Sequence, residues 1–233
     1  MQALIFDCDG VLVDTERDGH RIAFNEAFAE LGIACEWSVE RYGELLLTAG
    51  GKERMRRHFD ETGWPDGHID HDALIATIHR LKTAIFMRLI EEGNLPLRPG
   101  IRRIVDEALA SGIVLAVCST SNEKAVQAVV DVMLGPDRAR NITVFAGDVV
   151  EKKKPAPDIY TLAAATHGLD PRACVVIEDS NNGLRAAKAA GMHCIVTISS
   201  YTGKEDFSLA DRVVDDLDAG NVDIALCRAV IAG

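Results

Sequence analysis

Short aliphatic runs, each followed by a helix-like segment, restrict the fold of this chain more than any other feature. They cover residues 3–6, 113–118, 142–146, 174–177 and 194–198, with a weaker run at 212–214. Their apolar residues are nearly continuous instead of alternating, as in strands of a parallel sheet covered on both faces. Between them Ile101, Ile104, Val105 and Leu109 share one helical face, as do Leu184, Ala187 and Ala190. This rhythm predicts a doubly wound, Rossmann-like α/β core built on a parallel sheet.

One interval breaks the rhythm. From Asp14 to Leu95 no strand pattern stands out, whereas Ile22, Phe24, Phe28 and Leu31 fall at helical spacing. Leu74, Ile78, Leu81, Ile85 and Leu89 mark a second, long helix. A helical block of about 80 residues is too large for a βα crossover. It reads as an inserted all-helical cap domain over 15–95, leaving 1–14 and 96–233 as the core. Leu95-Pro96-Leu97-Arg98-Pro99-Gly100 has the punctuation of the return linker.

Charge narrows the partners. The 233 residues carry a formal net charge of -11, which argues against nucleic acid or an anionic membrane surface. A phosphate ligand would need basic residues gathered locally. The six cysteines form no C-x-x-C pair and read as free, buried thiols of a reducing compartment. No apolar stretch is long enough to span a membrane, and residues 3–6 run straight into charge, unlike a signal peptide. The expectation is a monomer in bacterial cytoplasm, or in plastid stroma if the chain is a trimmed plant protein.

Chemistry-bearing residues gather at strand ends, where open parallel sheets bind ligands. Asp7 and Asp9 follow the first run, and at a period of two they point to the same side. Such close carboxylates repel unless a cation lies between them, and two hard oxygen ligands suit Mg²⁺. By itself this is also what an inert Asp-x-Asp turn looks like. The second run ends in Ser119, Thr120, Ser121 and Asn122, small donors opening a helix and suited to phosphate oxygens. After the third comes Lys152-Lys153-Lys154-Pro155, a lysine before proline that can neutralise a nucleophile and a transferring phosphoryl group. The fourth ends in Glu178 and Asp179, further acidic metal ligands. Acid, hydroxyl, lysine and acid at four successive strand ends make a phosphoryl-transfer site.

With those residues in view, the chain resembles the haloacid dehalogenase superfamily, in the branch of phosphatases and sugar phosphomutases with a helical cap after the first strand. The motifs are Asp7-Cys8-Asp9-Gly10-Val11, Ser119, Lys154-Pro155 and Glu178-Asp179-Ser180. The resemblance implies that Asp7 is the nucleophile and Asp9 the acid and base, with Ser119 and Lys154 completing the catalytic set. It implies Mg²⁺ held by Asp7, the carbonyl of Asp9 and Asp179, with Glu178 nearby.

Specificity must come from the helical block. Gly50 and Gly51 open a helix toward an anion, with Lys52, Glu53 and Arg54 at its mouth. His79-Arg80-Leu81-Lys82 and Arg98 add basic charge, which suggests a substrate with a second phosphate. Here the chain resembles the CbbY family, associated with Calvin-cycle gene clusters. The family removes the 1-phosphate of xylulose 1,5-bisphosphate, an inhibitor of Rubisco. By that resemblance Glu16, His20, Tyr42, Gly50, Gly51, Lys52, Glu53, Arg54, Arg80 and Lys82 line the substrate pocket, with Ser119, Thr120, Ser121, Asn122 and Lys154. One departure is that His20 stands four residues after Glu16 where the family has three, so a looser first turn is expected. Two alternatives stay open: a β-phosphoglucomutase-like enzyme, and a non-catalytic phospho-acceptor module. Asp9 and the long helical insert argue against the second.

Overall fold

The structure, a computed structural model, describes residues 1–48, 50–67 and 70–232. It separates into two compact units, Met1–Asp14 with Leu95–Gly233, and Thr15–Asn94. The first unit is built on β1 (Ala3–Phe6), β2 (Val114–Ser119), β3 (Ile142–Ala146), β4 (Cys174–Glu178), β5 (His193–Thr197) and β6 (Arg212–Val214). All pairs are parallel, in the order β3-β2-β1-β4-β5-β6. Every residue of β1 and of β4 is buried, which is why their sequences are apolar without alternation.

Among the described residues there are ten α-helices, besides π-helical turns at Thr15–His20 and Val130–Leu134 and a 3-10 turn at Pro171–Ala173. The inserted unit holds α1 (Arg21–Glu30), α2 (Val39–Leu45), α3 (Gly51–Thr62) and α4 (His71–Glu91). The core unit holds α5 (Ile101–Ala110), α6 (Glu123–Val129), α7 (Pro136–Ala139), α8 (Asp158–His167), α9 (Asn181–Ala189) and α10 (Ile224–Ala232). Among the described residues no helix is long and apolar enough to cross a membrane.

Strand order decides where chemistry can occur. The chain leaves β1 outward through β2 and β3, then returns to β1's other side for β4 and continues outward to β6. The reversal therefore falls at β1, whose carboxyl end opens on the crevice where such sheets bind ligands. Phe6 pairs with both Val117 and Ile177, so the residues just beyond them, Asp7, Cys118 and Glu178, come level.

The helical unit has its own core. Phe24, Phe28, Trp37, Tyr42 and Phe59 are buried together, with Trp37 at 4.7 Å from Phe24 and 5.1 Å from Phe28 between ring centroids. Three details differ from the periodicity reading. Leu31 is exposed at the end of α1, and Ala108 takes the buried place on α5 that Leu109 was expected to fill. On α4 it is Lys82, one position beyond Leu81, that is buried, because it lies on the same face as Ile78 and Phe86.

Candidate active site

Asp7 is the first residue past β1, its amide held by the carbonyl of Ile177 at 2.9 Å. Lys154 reaches it from the loop after β3, beside a cis peptide to Pro155. The ammonium donates to Asp7 Oδ1 at 2.6 Å, to Glu178 Oε1 at 2.7 Å and to the carbonyl of Cys118 at 2.8 Å. All three of its protons are thus directed at strand ends of the sheet. Lys153 instead pairs with Asp148 at half exposure, and Lys152 is exposed.

The site holds more negative charge than this lysine can balance. Asp7, Glu178 and Asp179 bring one carboxylate oxygen each within 4.8 Å of one another, all buried. Burial raises the Asp7 carboxyl well above the usual range against the pull of Lys154, and Glu178 and Asp9 raise it further. Asp179 is raised too, by burial and then by Glu178 and Asp7. Burial would lower Lys154, but Asp7 and Glu178 overcome it and keep the ammonium charged. Carboxylates crowded in this way against one ammonium form an all-oxygen donor set suited to a hard divalent cation.

Two glycines let these acids approach. Gly10 has a φ of +79°, and a Cβ there would lie 2.0 Å from Asp179 Oδ2. Gly183 sits in the first turn of α9, where a Cβ would meet the Glu178 carboxylate at 1.9 Å. The segment 181–183 is helical because Ser180 caps it, accepting from Gly183 N at 3.1 Å.

The serine-rich end of β2 faces Asp9. Ser121 Oγ donates to Asp9 Oδ2, with Ser119 Oγ at 3.4 Å from the same oxygen. Asn122 is committed differently: its Oδ1 caps α6, accepting from the amides of Lys124 and Ala125. Thr120 stands in the same loop, half-buried.

The helical unit gathers a second polar cluster. Tyr42 donates to Glu16 at 2.6 Å, and Arg54 donates to the Tyr42 hydroxyl at 3.2 Å and lies 3.6 Å from Glu16. Lys82 Nζ is 2.9 Å from His20 Nδ1, flanked by the rings of Phe24 and Phe86. Burial drives the His20 imidazole toward its neutral form, with Lys82 and Arg54 adding to the effect. Burial also lowers Lys82 to about 8, Glu16 opposing. Thr15–His20 form a π-helical turn running into α1, which absorbs the extra residue between Glu16 and His20. Gly50 caps α3 with a φ of +91°, against the Glu53 carboxylate, and Gly51 packs against Phe24 and His79. Lys52, Glu53 and Arg80 are exposed, and Ala49, before the two glycines, lies outside the described residues.

Two residues escaped the sequence reading, and Arg98 was read for a different role. Tyr160 donates to Glu178 Oε1 at 2.5 Å, and Lys154 Nζ lies 4.9 Å from its ring centroid. Its only signal is its place six residues past Lys154. Ser199, buried in the loop after β5, favours the charged form of the Asp179 carboxyl against burial, with no motif to mark it. Arg98, expected to add charge for a phosphate, turns its guanidinium onto backbone carbonyls of the core unit. Of the cysteines expected to be buried, Cys35 is half-exposed, 3.2 Å from His58 Nε2.

Aspartate, lysine and acid cluster at the switch point of a parallel sheet are the layout of an aspartate-based hydrolase. The model of the haloacid dehalogenase-like hydrolases matches residues 1–191. The chain belongs to that family and is an enzyme of it, a phosphoric monoester hydrolase. A CBBY-like protein of Arabidopsis thaliana is 56% identical over 98% of this chain and 74% of its own length. The crystal structure of CbbY from Rhodobacter sphaeroides in complex with phosphate superposes with a TM-score of 0.75 at 44% identity, covering 97% of this chain and 98% of that one. A mutant of the same protein in complex with xylulose-(1,5)bisphosphate gives 0.74 at 44% identity, over the same shares.

Proposed function

We propose that this hydrolase removes one phosphate from a small sugar bisphosphate, xylulose 1,5-bisphosphate being the best candidate, through an aspartyl-phosphate. The observation that carries the reading is the Lys154 bridge between Asp7 and Glu178 beside Asp179. With Lys154 on Oδ1, the other Asp7 oxygen is the one to attack phosphorus. As that O–P bond forms, the bond to the leaving sugar oxygen breaks, and Asp9 gives that oxygen a proton. Asp9 then takes a proton from water, which attacks the acyl phosphate, releasing phosphate and restoring Asp7. Ser119 and Lys154 hold phosphoryl oxygens during both steps.

Mg²⁺ fits the acidic cluster: Asp7, Asp179 and the carbonyl of Asp9 would hold it, with Glu178 beside them. When bound, it supplies charge neutralisation between nucleophile and phosphoryl oxygens. In the helical unit Arg54 and Lys82 bring two cationic groups against the single acid Glu16, which suits the second phosphate. The two CbbY structures support the ligand class, since one is with phosphate and the other with the bisphosphate. Under this reading the enzyme works beside Rubisco, in bacterial cytosol or plastid stroma.

The test is phosphate release with Mg²⁺ across ketose and aldose mono- and bisphosphates. Preference for xylulose 1,5-bisphosphate, abolished in Asp7→Asn, supports the proposal. Preference for a monophosphate would remove the second-phosphate argument, and interconversion of hexose 1- and 6-phosphates would make the enzyme a mutase.

A further inference from the structure

Arg98 stands in the return linker, yet its side chain serves the loops around Asp179. Nη1 donates to the carbonyl of Gly10, and to the Thr197 hydroxyl at 3.0 Å and carbonyl at 3.3 Å. Nη2 donates to the carbonyls of Ile198 at 2.6 Å and Asp215 at 2.8 Å. Its own amide is held by the carbonyl of Leu12 at 2.8 Å. One guanidinium thus ties together the loop after β1, the loop after β5 and the segment after β6.

The first two of those loops approach Asp179. Gly10 is packed so closely that a Cβ would lie 2.0 Å from Asp179 Oδ2. Ser199, next after Ile198, is buried and interacts with the Asp179 side chain. Gly10 also follows Asp9, so holding its carbonyl limits where the Asp9 side chain can be presented. A planar guanidinium reaches acceptors on three segments at once, whereas an ammonium is a point donor on a flexible stem.

We propose that Arg98 is a positioning residue, a latch between the loops after β1 and β5 that holds Asp9 and Asp179 in register, and not a ligand for substrate phosphate. Its effect on turnover rests on the roles proposed above for Asp7 and Asp9. The latch itself does not depend on them.

Arg98→Lys and Arg98→Ala are to be assayed with Mg²⁺ on p-nitrophenyl phosphate, which has no second phosphate, and on xylulose 1,5-bisphosphate. The latch predicts a fall in kcat on the order of 10–100-fold on both substrates, with KM little changed, as for misplaced catalytic groups. Methylguanidinium should restore part of kcat in Arg98→Ala. A rise in KM confined to the bisphosphate would make Arg98 a phosphate ligand and overturn the proposal. Amide hydrogen exchange supplies a readout independent of activity: residues 9–13 and 197–202 should both exchange faster in Arg98→Lys. Unchanged exchange in both loops would overturn the latch, whatever the kinetics. If the unmodified enzyme hydrolyses neither substrate, the proposed function fails, and exchange alone decides the latch. Should Arg98→Ala not fold, Arg98→Lys carries both readouts.

Discussion

Lys82 shows how burial sets the charge of one side chain. Its ammonium sits among Glu16, His20 and Arg54 with aromatic rings on either side, and burial brings its pKa down from 10.5 to about 8. The folded chain therefore gives up this proton near pH 8, whereas the unfolded chain keeps it to about 10.5. Between those values the unfolded state binds more protons, so this residue's contribution to stability rises with pH, and that rise should vanish in urea titrations of Lys82→Met. Binding runs the other way. If Lys82 holds a phosphate, KM for the bisphosphate should climb above pH 8, by up to about tenfold per unit, while KM for p-nitrophenyl phosphate does not. Gly183 gives a second residue-scale expectation. An added methyl would overlap the Glu178 carboxylate, so Gly183→Ala should lose most phosphatase activity and about 1–3 kcal/mol of stability by chemical denaturation.

At the scale of elements, helix starts bring the polar groups to the site. Ser180 begins α9 beside the Glu178 carboxylate, and Asn122 begins α6 one residue past Ser121. Because Asn122 Oδ1 is engaged with two amides, its truncation should be felt first in the stability of α6. Asn122→Ala should cost about 1 kcal/mol in thermal denaturation and leave kcat within about threefold, and Asn122→Ser should recover the stability. A large loss of kcat in the serine variant would return Asn122 to the phosphate site. The π-helical turn over Thr15–His20 solves a different problem. It takes up one residue so that Glu16 still meets Tyr42 while His20 meets Lys82. The four-residue spacing was visible in the sequence. The looser first turn expected from it is present, but that it would be a π turn was not legible, since a π turn is selected by the packing of the helix that follows.

Across the whole molecule, electrostatics sets the boldest expectation. A chain of net charge -11 concentrates buried acids at the end of β1 and gathers a basic cluster in the helical unit. Such acid crowding costs stability unless a cation enters. EDTA should therefore abolish phosphate release and Mg²⁺ restore it. Mg²⁺ should also raise the melting temperature by several degrees, about the effect of 1 kcal/mol of ligand binding, and Asp179→Asn should blunt the rise.

The strands, the all-helical insert and the four strand-end motifs were legible from local pattern alone. A buried parallel strand needs a continuous apolar run, and Asp7, Ser119, Lys154 and Glu178 each follow one at short range. Tyr160 and Arg98 left no such trace, and Ser199, though it follows an apolar run, carries no motif. Each acts through a partner more than a dozen residues away, and nothing in its own neighbourhood requires that partner. Lys82 was legible as a cation but not as a buried one, because burial depends on which face of α4 the packing of α1 covers. The sequence by itself determined the chemistry available at the strand ends, since covalent order and strand period carry those groups there. Only the tertiary structure decided which of them meet, because contacts between distant segments come from strand order and helix packing.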